Sequence, residues 1–363
     1  MRYYLIAGEA SGDLHGSNLI KELILQDDHA EIRCWGGDKM QAAGGTLVKH
    51  IRDLAFMGFY EVIKHLPTIL LNISFCKKDI LEFKPDVVIL IDYPGFNFRL
   101  FKFLKKHKFP IFYYISPQLW AWKTGRVHTV KKYVDRMFVI FPFEQEFYER
   151  YQVKVDFVGH PLLDELQPEN HDPTYTNDSN TIALLPGSRK QEIAYLLPEY
   201  LKLVNEFPNY KFVVTGMHTI GEKFYRDIIG NANVELVFDK TYKVLQFARA
   251  AVVTSGTATL ETAMHNVPEV ICYKGSWVSY YIAKSLIKNI NYICIVNLIC
   301  DKRVVQELIQ ADVNKERLVY ELKKLLSEPS RSKMLQDYGA LHTKLGSKGA
   351  SQRAVKLMLS YLK

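Results

Sequence analysis

Asp86–Ile91 reads DVVILI, and it runs directly into Asp92-Tyr93-Pro94-Gly95-Phe96-Asn97. An almost unbroken apolar run of this length suits a strand covered on both faces, as in the middle of a parallel sheet. Ile111–Ile115 and Met137–Phe141 repeat the pattern downstream, with basic, helix-like segments between, and Tyr3–Ala7 repeats it upstream. Strands alternating with helices make βαβ units and hence a parallel α/β sheet. Ligands of such sheets bind beyond the carboxyl ends of the strands. The residues that follow each apolar run are therefore the candidates for chemistry.

The texture changes at Gln167–Asn180, QPENHDPTYTNDSN, which is polar and rich in Pro, Asn and Asp. That composition reads as an interdomain linker. Strand-like runs then resume at Thr181–Leu185, Lys211–Thr215, Val234–Phe238, Ala251–Thr254 and Val270–Tyr273. From about Asn314 the pattern is helical. The expected organisation is an N-terminal Rossmann-like domain over 1–170, a second over 171–340, and a helical tail over 341–363. A cleft is expected between the domains. The tail either packs back on the first domain or pairs with a second copy in a homodimer.

Composition narrows the class. Of 363 residues 48% are hydrophobic and 24% charged, which is globular and not disordered composition. The net charge of +8 favours an anionic partner, either nucleic acid, anionic lipid or a phosphorylated substrate. No nucleic-acid recognition motif occurs, so that partner is set aside. The five cysteines show no C-x-x-C spacing, which argues against a zinc site or disulfide framework and for a reducing cytosol. The N-terminus lacks a signal-peptide segment, and no apolar run reaches the ~18 residues a spanning helix needs.

Five loops follow the strands. Gly8-Glu9-Ala10-Ser11-Gly12-Asp13 lets backbone approach a ligand at a helix start. It is not G-x-G-x-x-G, which disfavours a nicotinamide cofactor. The plainer reading is a tight turn with Ser11 or Asp13 as helix cap. Leu185-Pro186-Gly187-Ser188-Arg189 offers free amides and a guanidinium, a combination suited to a diphosphate. Otherwise Ser188 is an N-cap and Arg189 solvated. In Ser255-Gly256-Thr257-Ala258-Thr259-Leu260-Glu261 the capping-box position holds Ala258, which weakens a capping role for Glu261. A carboxylate there can take both hydroxyls of a ribose, or simply face the helix dipole. Asp92, at the end of the buried run, is placed for partial desolvation and a raised pKa, or for an Asx-turn before Pro94. Trp120 and Trp122, in Ser116-Pro117-Gln118-Leu119-Trp120-Ala121-Trp122, either line a sugar or acyl pocket or belong to the core.

Leu54–Lys84 mixes apolar and aromatic residues such as Phe56, Phe59, Leu70, Leu71 and Phe75 with Lys64, Lys77, Lys78 and Lys84. Phe101–Phe109, FKFLKKHKF, is similar. Such segments suit an anionic membrane surface or an amphipathic helix lying on a sheet. The apolar excess of Leu54–Ser74 favours lipid, whereas FKFLKKHKF reads better as an ordinary helix.

The ordered pattern GEASGD…HG, GFYEV, ID-x-P-x-FN, SP-x-x-WAW, LPGSR-x-x-EI, SGTATLE and finally Asn297-Leu298 resembles the lipid-A-disaccharide synthase family over nearly the whole chain. The resemblance implies a GT-B architecture and transfer of 2,3-diacylglucosamine from UDP to 2,3-diacylglucosamine 1-phosphate. The product would be a β-1,6-linked disaccharide 1-phosphate, formed with inversion. No metal or other cofactor is implied, and the chain contains no D-x-D motif. The enzyme would work in the cytoplasm, peripherally on the inner face of the inner membrane. By the same resemblance Asp92 would be the general base, with His15 as the alternative base, and Arg189 would steady the leaving diphosphate. Ser255, Gly256 and Thr257 would support the diphosphate together with Gly187 and Ser188, Glu261 would bind ribose, and Asn297 would lie near the nucleotide. Gly8, Glu9, Ser11 and Gly12 would face the donor. The family often carries a second acidic residue where this chain has Gly95, which leaves Asp92 the only carboxylate of that run. A UDP-sugar epimerase of the same architecture and a non-catalytic sugar- or lipid-binding protein are the rival classes.

Overall fold

The computed structural model describes residues 1–53, 66–121, 124–165, 180–277, 280 and 292–362. Linker residues 167–179, residues 54–65 of the segment expected to meet lipid, and Trp122 lie outside them. The chain forms two compact units, one of Met1–Glu165 with Leu345–Lys363 and one of Leu166–Lys344. The divisions fall at 165/166 and 344/345, where the sequence pattern suggests 170/171 and 340/341.

The first unit is built on a parallel sheet of β1 (Arg2–Ile6), β2 (Glu31–Gly36), β3 (Thr46–His50), β4 (Val87–Ile91), β5 (Ile111–Tyr114), β6 (Arg136–Val139) and β7 (Asp156–Phe157). Their order is β3-β2-β1-β4-β5-β6-β7. Every residue of β4 is buried, as its apolar run requires. Helix Leu66–Phe83 is tied to the sheet by a polar cluster under its inner face. Asp79 accepts from Tyr4 Oη at 2.6 Å and from Arg33 Nε at 2.9 Å, and Trp35 Nε1 donates to Tyr4 Oη at 2.8 Å. Helix Ala350–Leu362 returns to this unit and packs on helix Ala10–Gln26. Asp164 caps its start by accepting from the amides of Gly349 (2.6 Å) and Ser351 (3.2 Å). Arg353 Nε donates to Val158 O at 2.8 Å from the same helix.

The second unit carries β8 (Thr181–Leu185), β9 (Lys211–Gly216), β10 (Glu235–Phe238), β11 (Ala250–Thr254), β12 (Glu269–Tyr273) and β13 (Gln306–Ile309). They pair in parallel in the order β10-β9-β8-β11-β12-β13. β8 and β11 are buried throughout. All five cysteines are buried and free, so no disulfide braces either unit.

In each sheet the strand order reverses direction at one point, between β1 and β4 in the first and between β8 and β11 in the second. Connections leave such a pair toward opposite faces, which opens a crevice at the carboxyl ends of the two strands. Four of the five candidate loops leave from these pairs, and the fifth follows β5, the neighbour of β4.

Candidate functional site

In the first unit the loops after β1 and β4 pack against each other. A Cβ on Gly8 would stand 2.3 Å from the Tyr93 ring, so only glycine lets that ring lie against the backbone. Tyr93 stacks in turn on Phe96 at 5.6 Å, and Phe96 packs tilted against Trp35 at 5.3 Å. Asp92 and Tyr93 both adopt left-handed backbone, at φ 42° and 46°. That conformation is unfavourable for non-glycine residues, and such strain gathers at functional positions. The surroundings hold it in place. The Asp92 carbonyl accepts from Asn97 Nδ2 at 2.7 Å and from Tyr113 Oη, and the Asp92 amide donates to Tyr114 O at 3.2 Å. On Asp92 these bonds engage main-chain atoms and not the carboxyl.

Burial pushes the Asp92 carboxyl up to about 7, helped by the negative charge of Glu9 and opposed by the Tyr93 amide. A carboxylate tuned near neutrality is a competent proton acceptor at physiological pH. Gly95 does remove the neighbouring acid, but Glu9 supplies a second carboxylate from across the β1/β4 pair, a relation invisible in the linear sequence.

Helix Ala10–Gln26 begins with Glu9 as N-cap residue, and no side chain caps it. Ser11 is exposed and Asp13 buried. The capping expected of Ser11 or Asp13 is therefore not made on their own helix. Asp13 instead accepts from the amides of Gly37 (2.6 Å), Lys39 (3.2 Å) and Met40 (3.0 Å), clipping helix Asp38–Ala42 to its own. Gly12 meets Ala7 closely: a methyl added at Gly12 would stand 3.1 Å from the Ala7 Cβ, so helix and strand sit tight at the loop. Burial lowers the His15 pKa to about 4, with Asp164 and Lys39 as the next influences, and its Nδ1 has no hydrogen-bond partner. An imidazole so hard to protonate is a weak base at pH 7.

In the second unit Gly187 follows β8 with φ +110°, and a Cβ there would stand 2.7 Å from Glu192 Oε2 and 3.3 Å from Thr254 Cγ2. Thr254 ends β11, so the two switch-point loops touch at this glycine. Ser188 is not the N-cap, because helix Lys190–Leu201 starts after Arg189. The Ser188 amide donates to Glu192 Oε2 at 3.3 Å, and Arg189 Nη1 donates to Glu192 Oε1 at 3.1 Å. Arg189 is otherwise exposed. Glu192 thus holds the guanidinium ready beside the loop. Sequence reasoning missed this role, and the signal that could have found it is the three-residue spacing from Arg to Glu in LPGSR-x-x-EI.

Ser255 is anchored by its amide to Cys272 O at 2.9 Å, and Gly256 and Thr257 are exposed at the start of helix Thr257–Met264. No side chain caps that start, because its N-cap residue is Gly256. Its first amides are open to an anion. Glu261 is half-buried on the next turn. Burial raises its pKa, and the Tyr242 hydroxyl partly offsets that by hydrogen bonding to the carboxyl.

Asn297 sits on helix Ile295–Cys300, which packs on helix Thr257–Met264. It is fully buried, with Nδ2 donating to Val305 O (2.9 Å) and Glu307 Oε1 (2.8 Å). Its Oδ1 accepts from Val304 N (2.7 Å) and Val305 N (2.9 Å). Every hydrogen-bonding position of the amide is engaged. The amide is a bracket joining helix Ile295–Cys300 to β13 and keeps no position for direct contact with a ligand, so the expected place near the nucleotide rests on the packing of its helix alone. Trp120 is partly buried, edge-on to Phe143 at 5.0 Å.

A family model described as lipid-A-disaccharide synthetase matches residues 3–360. The chain belongs to the lipid-A-disaccharide synthase family. Its relatives include the lipid-A-disaccharide synthase of Syntrophus aciditrophicus, 42% identical over 99% of this chain and 97% of that protein. The synthase of Geobacter sulfurreducens is 37% identical with the same coverage. Membership makes the chain a glycosyltransferase of lipid A biosynthesis, taking a UDP-sugar donor and a sugar-phosphate acceptor. Among solved structures it is similar to a UDP-GlcNAc 2-epimerase of Neisseria meningitidis, at TM-score 0.68, 13% identity and coverage of 99% and 100%. The glycotransferase of kitacinnamycin gives TM-score 0.69 at 14% identity, with coverage of 100% and 99%. Identities this low report the GT-B fold alone, so the epimerase reading gains nothing beyond a shared architecture.

Proposed function

We propose that the enzyme condenses UDP-2,3-diacylglucosamine with 2,3-diacylglucosamine 1-phosphate, giving the β-1,6-linked disaccharide 1-phosphate and UDP. The observation that carries the reading is Asp92: a strained residue at a switch point, its backbone fixed by bonds that do not involve the carboxyl, with a pKa raised to about 7. In the proposed step the Asp92 carboxylate takes the proton of the acceptor 6-hydroxyl as its oxygen attacks the anomeric carbon. The bond from that carbon to the diphosphate breaks on the opposite face, and the configuration inverts. The diphosphate's growing charge meets the guanidinium of Arg189, the Gly187 and Ser188 backbone, and the amides that open at Gly256 and Thr257. Glu261 binds the ribose hydroxyls. Gly8, Glu9, Ser11 and Gly12 form the wall beside Asp92.

Acylated substrates bring the enzyme to a bilayer. Among the described residues no helix is long and apolar enough to cross a membrane. Helix Leu66–Phe83, however, turns Leu70, Leu71 and Phe75 to solvent, with the exposed cation Lys78 beside them. An apolar face edged by lysine fits peripheral attachment to an anionic leaflet on the cytoplasmic side. Flotation with vesicles containing anionic lipid checks this, because the triple change of Leu70, Leu71 and Phe75 to Ser should leave the protein unbound.

The deciding experiment incubates purified enzyme with the two lipid substrates and weighs the products by mass spectrometry. Disaccharide 1-phosphate and UDP should appear in equal amounts. Asp92→Asn should abolish turnover while UDP binding stays within a factor of about two. Near-normal turnover by Asp92→Asn removes the base, and turnover of UDP-sugar without acceptor favours an epimerase.

A further inference from the structure

Glu144 is almost wholly buried, at 1% exposure, and the proton-transfer scheme above makes no use of it. It lies one turn into helix Pro142–Glu149, in the loop region that follows β6. Its Oε2 accepts from the amides of Ile140 (3.2 Å) and Phe141 (3.0 Å), which covers the helix start. A Gln would serve that purpose without burying an ionisable group. Burial pushes the Glu144 pKa up to about 8, and the Ser116 hydroxyl and Trp120 indole N–H are among the groups that pull it back. The carboxyl therefore faces the tryptophan loop, which leaves the neighbouring strand β5.

That loop is held unusually. Ile115, the residue that launches it, has φ +64°, a costly conformation for a β-branched side chain. Ser116 Oγ shares a hydrogen bond with Tyr148 Oη at 2.7 Å, and Tyr148 is on the Glu144 helix. Trp120 rests edge-on against Phe143 of the same helix. The Trp120 Nε1–H is buried beside the Glu144 carboxyl without a well-aligned hydrogen bond to it. A buried donor poorly aligned to a neighbouring carboxyl is an arrangement that tightens on ligand binding. The loop also adjoins the base, because β5 neighbours β4 and the Asp92 amide is bonded to Tyr114 O.

We propose that Glu144 is a positioning residue for acceptor binding: it sets the Ser116–Trp120 loop, through Ser116 and Trp120, into the pose that receives the acylated glucosamine phosphate beside Asp92. The inference rests on the transferase reading above, with the acceptor on this unit. It adds that acceptor affinity, and not donor affinity, depends on a carboxyl that touches neither substrate. Glu144→Gln keeps an oxygen for the two amides but turns an NH2 group toward donors. Trp120→Phe keeps the ring and removes the N–H.

The test is acceptor binding by titration calorimetry on the full-length enzyme, without donor, using the diacylglucosamine 1-phosphate itself. Steady-state kinetics and thermal melting accompany it. Glu144→Gln should raise the acceptor Kd and KM about tenfold, with the UDP Kd unchanged and the melting temperature at pH 8 no lower than wild type. Trp120→Phe should do the same, and the double variant should be no worse than either single one, as expected for two groups acting through one contact. Wild-type acceptor affinity in Glu144→Gln overturns the proposal. So do additive losses in the double variant, or a loss that follows a fall in melting temperature. Wild-type enzyme that binds acceptor but forms no disaccharide would sink the transferase reading instead, while leaving the calorimetric comparison to decide the role of Glu144.

Discussion

Removing the charge of Glu9 should move the acidic limb of the pH–rate profile, because Glu9 is the second cause, after burial, of the raised Asp92 pKa. Asp92 stands at about 7 against an ordinary 3.8. A general base must be ionised to act, so kcat/KM in the wild type should fall as pH drops through about 7. One neighbouring carboxylate acting through an effective dielectric constant of about 20 is worth about 1–2 kcal/mol, or roughly one pH unit. The sign follows from repulsion: without Glu9 the Asp92 anion is easier to form, and its pKa falls. In Glu9→Gln the limb should sit near pH ~6, so that at pH ~6 the variant keeps about half of its own plateau, against about a tenth for wild type. The plateau itself should drop about threefold, since a less basic carboxylate is a weaker acceptor. The assay is the initial rate of UDP release between pH 5 and 9 at low acceptor and saturating donor, with Asp92→Asn as the blank. A limb that stays at 7 or moves upward would refute the coupling. A limb near 4 in both proteins would return the proton to His15, whose pKa lies there.

Asp92→Asn should also stabilise the fold. A carboxyl whose folded pKa is raised contributes stability that is whole below about 3.8 and is lost as pH rises through about 7. At pH 8 the wild type carries that penalty and the Asn variant does not, so urea denaturation should show a gain of about 1–3 kcal/mol that vanishes near pH 4. Gly187→Ala should raise the donor KM about tenfold and spare acceptor binding, because the new methyl strains a backbone at φ +110° and meets Glu192 at 2.7 Å. Asp13→Ala leaves three amides without their acceptor. Its cost should be about 2–3 kcal/mol in urea melts, where an exposed surface substitution costs almost nothing. Glu269→Gln should stabilise the protein at pH 8 without touching kcat, since Glu269 is fully buried at the start of β12 and burial holds its pKa well above the carboxylate range. Lower stability of that variant would mean that its bond to Tyr338 outweighs desolvation.

The strands that place the site are legible in the sequence because they are buried on both faces. The DVVILI run contains all of β4, and Thr181–Leu185 is β8 with the same bounds. The strands β2 and β3, at one edge of the first sheet, are not. EIRCWG mixes exposed, half-buried and buried positions in β2, and TLVKH in β3 has no fully buried residue, so neither shows a long apolar run. Loop positions follow from the strands, but the side-chain partnerships within the loops do not. Asp13 lies one turn from the start of its own helix, and capping rules assign it there. Its carboxylate reaches the amides of a different helix only because β1 and β2 are adjacent. Asn297 shows the reverse limit. A late Asn in a family motif suggests a ligand, whereas the four internal hydrogen bonds that engage it exist only in three dimensions.

The Glu9–Asp92 relation follows the same logic one level higher. Residues 9 and 92 are far apart in the chain, and nothing local links them. The pairing of β1 with β4, Tyr3 opposite Val87 through Ile6 opposite Leu90, brings the ends of both strands to one rim. Gly8 then removes the side chain that would hold the two loops apart, and Tyr93 fills the space. In the second unit the pairing of β8 with β11 does the equivalent, with Gly187 as the residue that yields room. A glycine at each switch point lets one loop lie against its neighbour, and the charges used in the proposed mechanism, Glu9 and Arg189, follow within two residues. Replacing either glycine should therefore damage function more than stability, since β1, β4, β8 and β11 keep their own buried cores when a rim contact is lost.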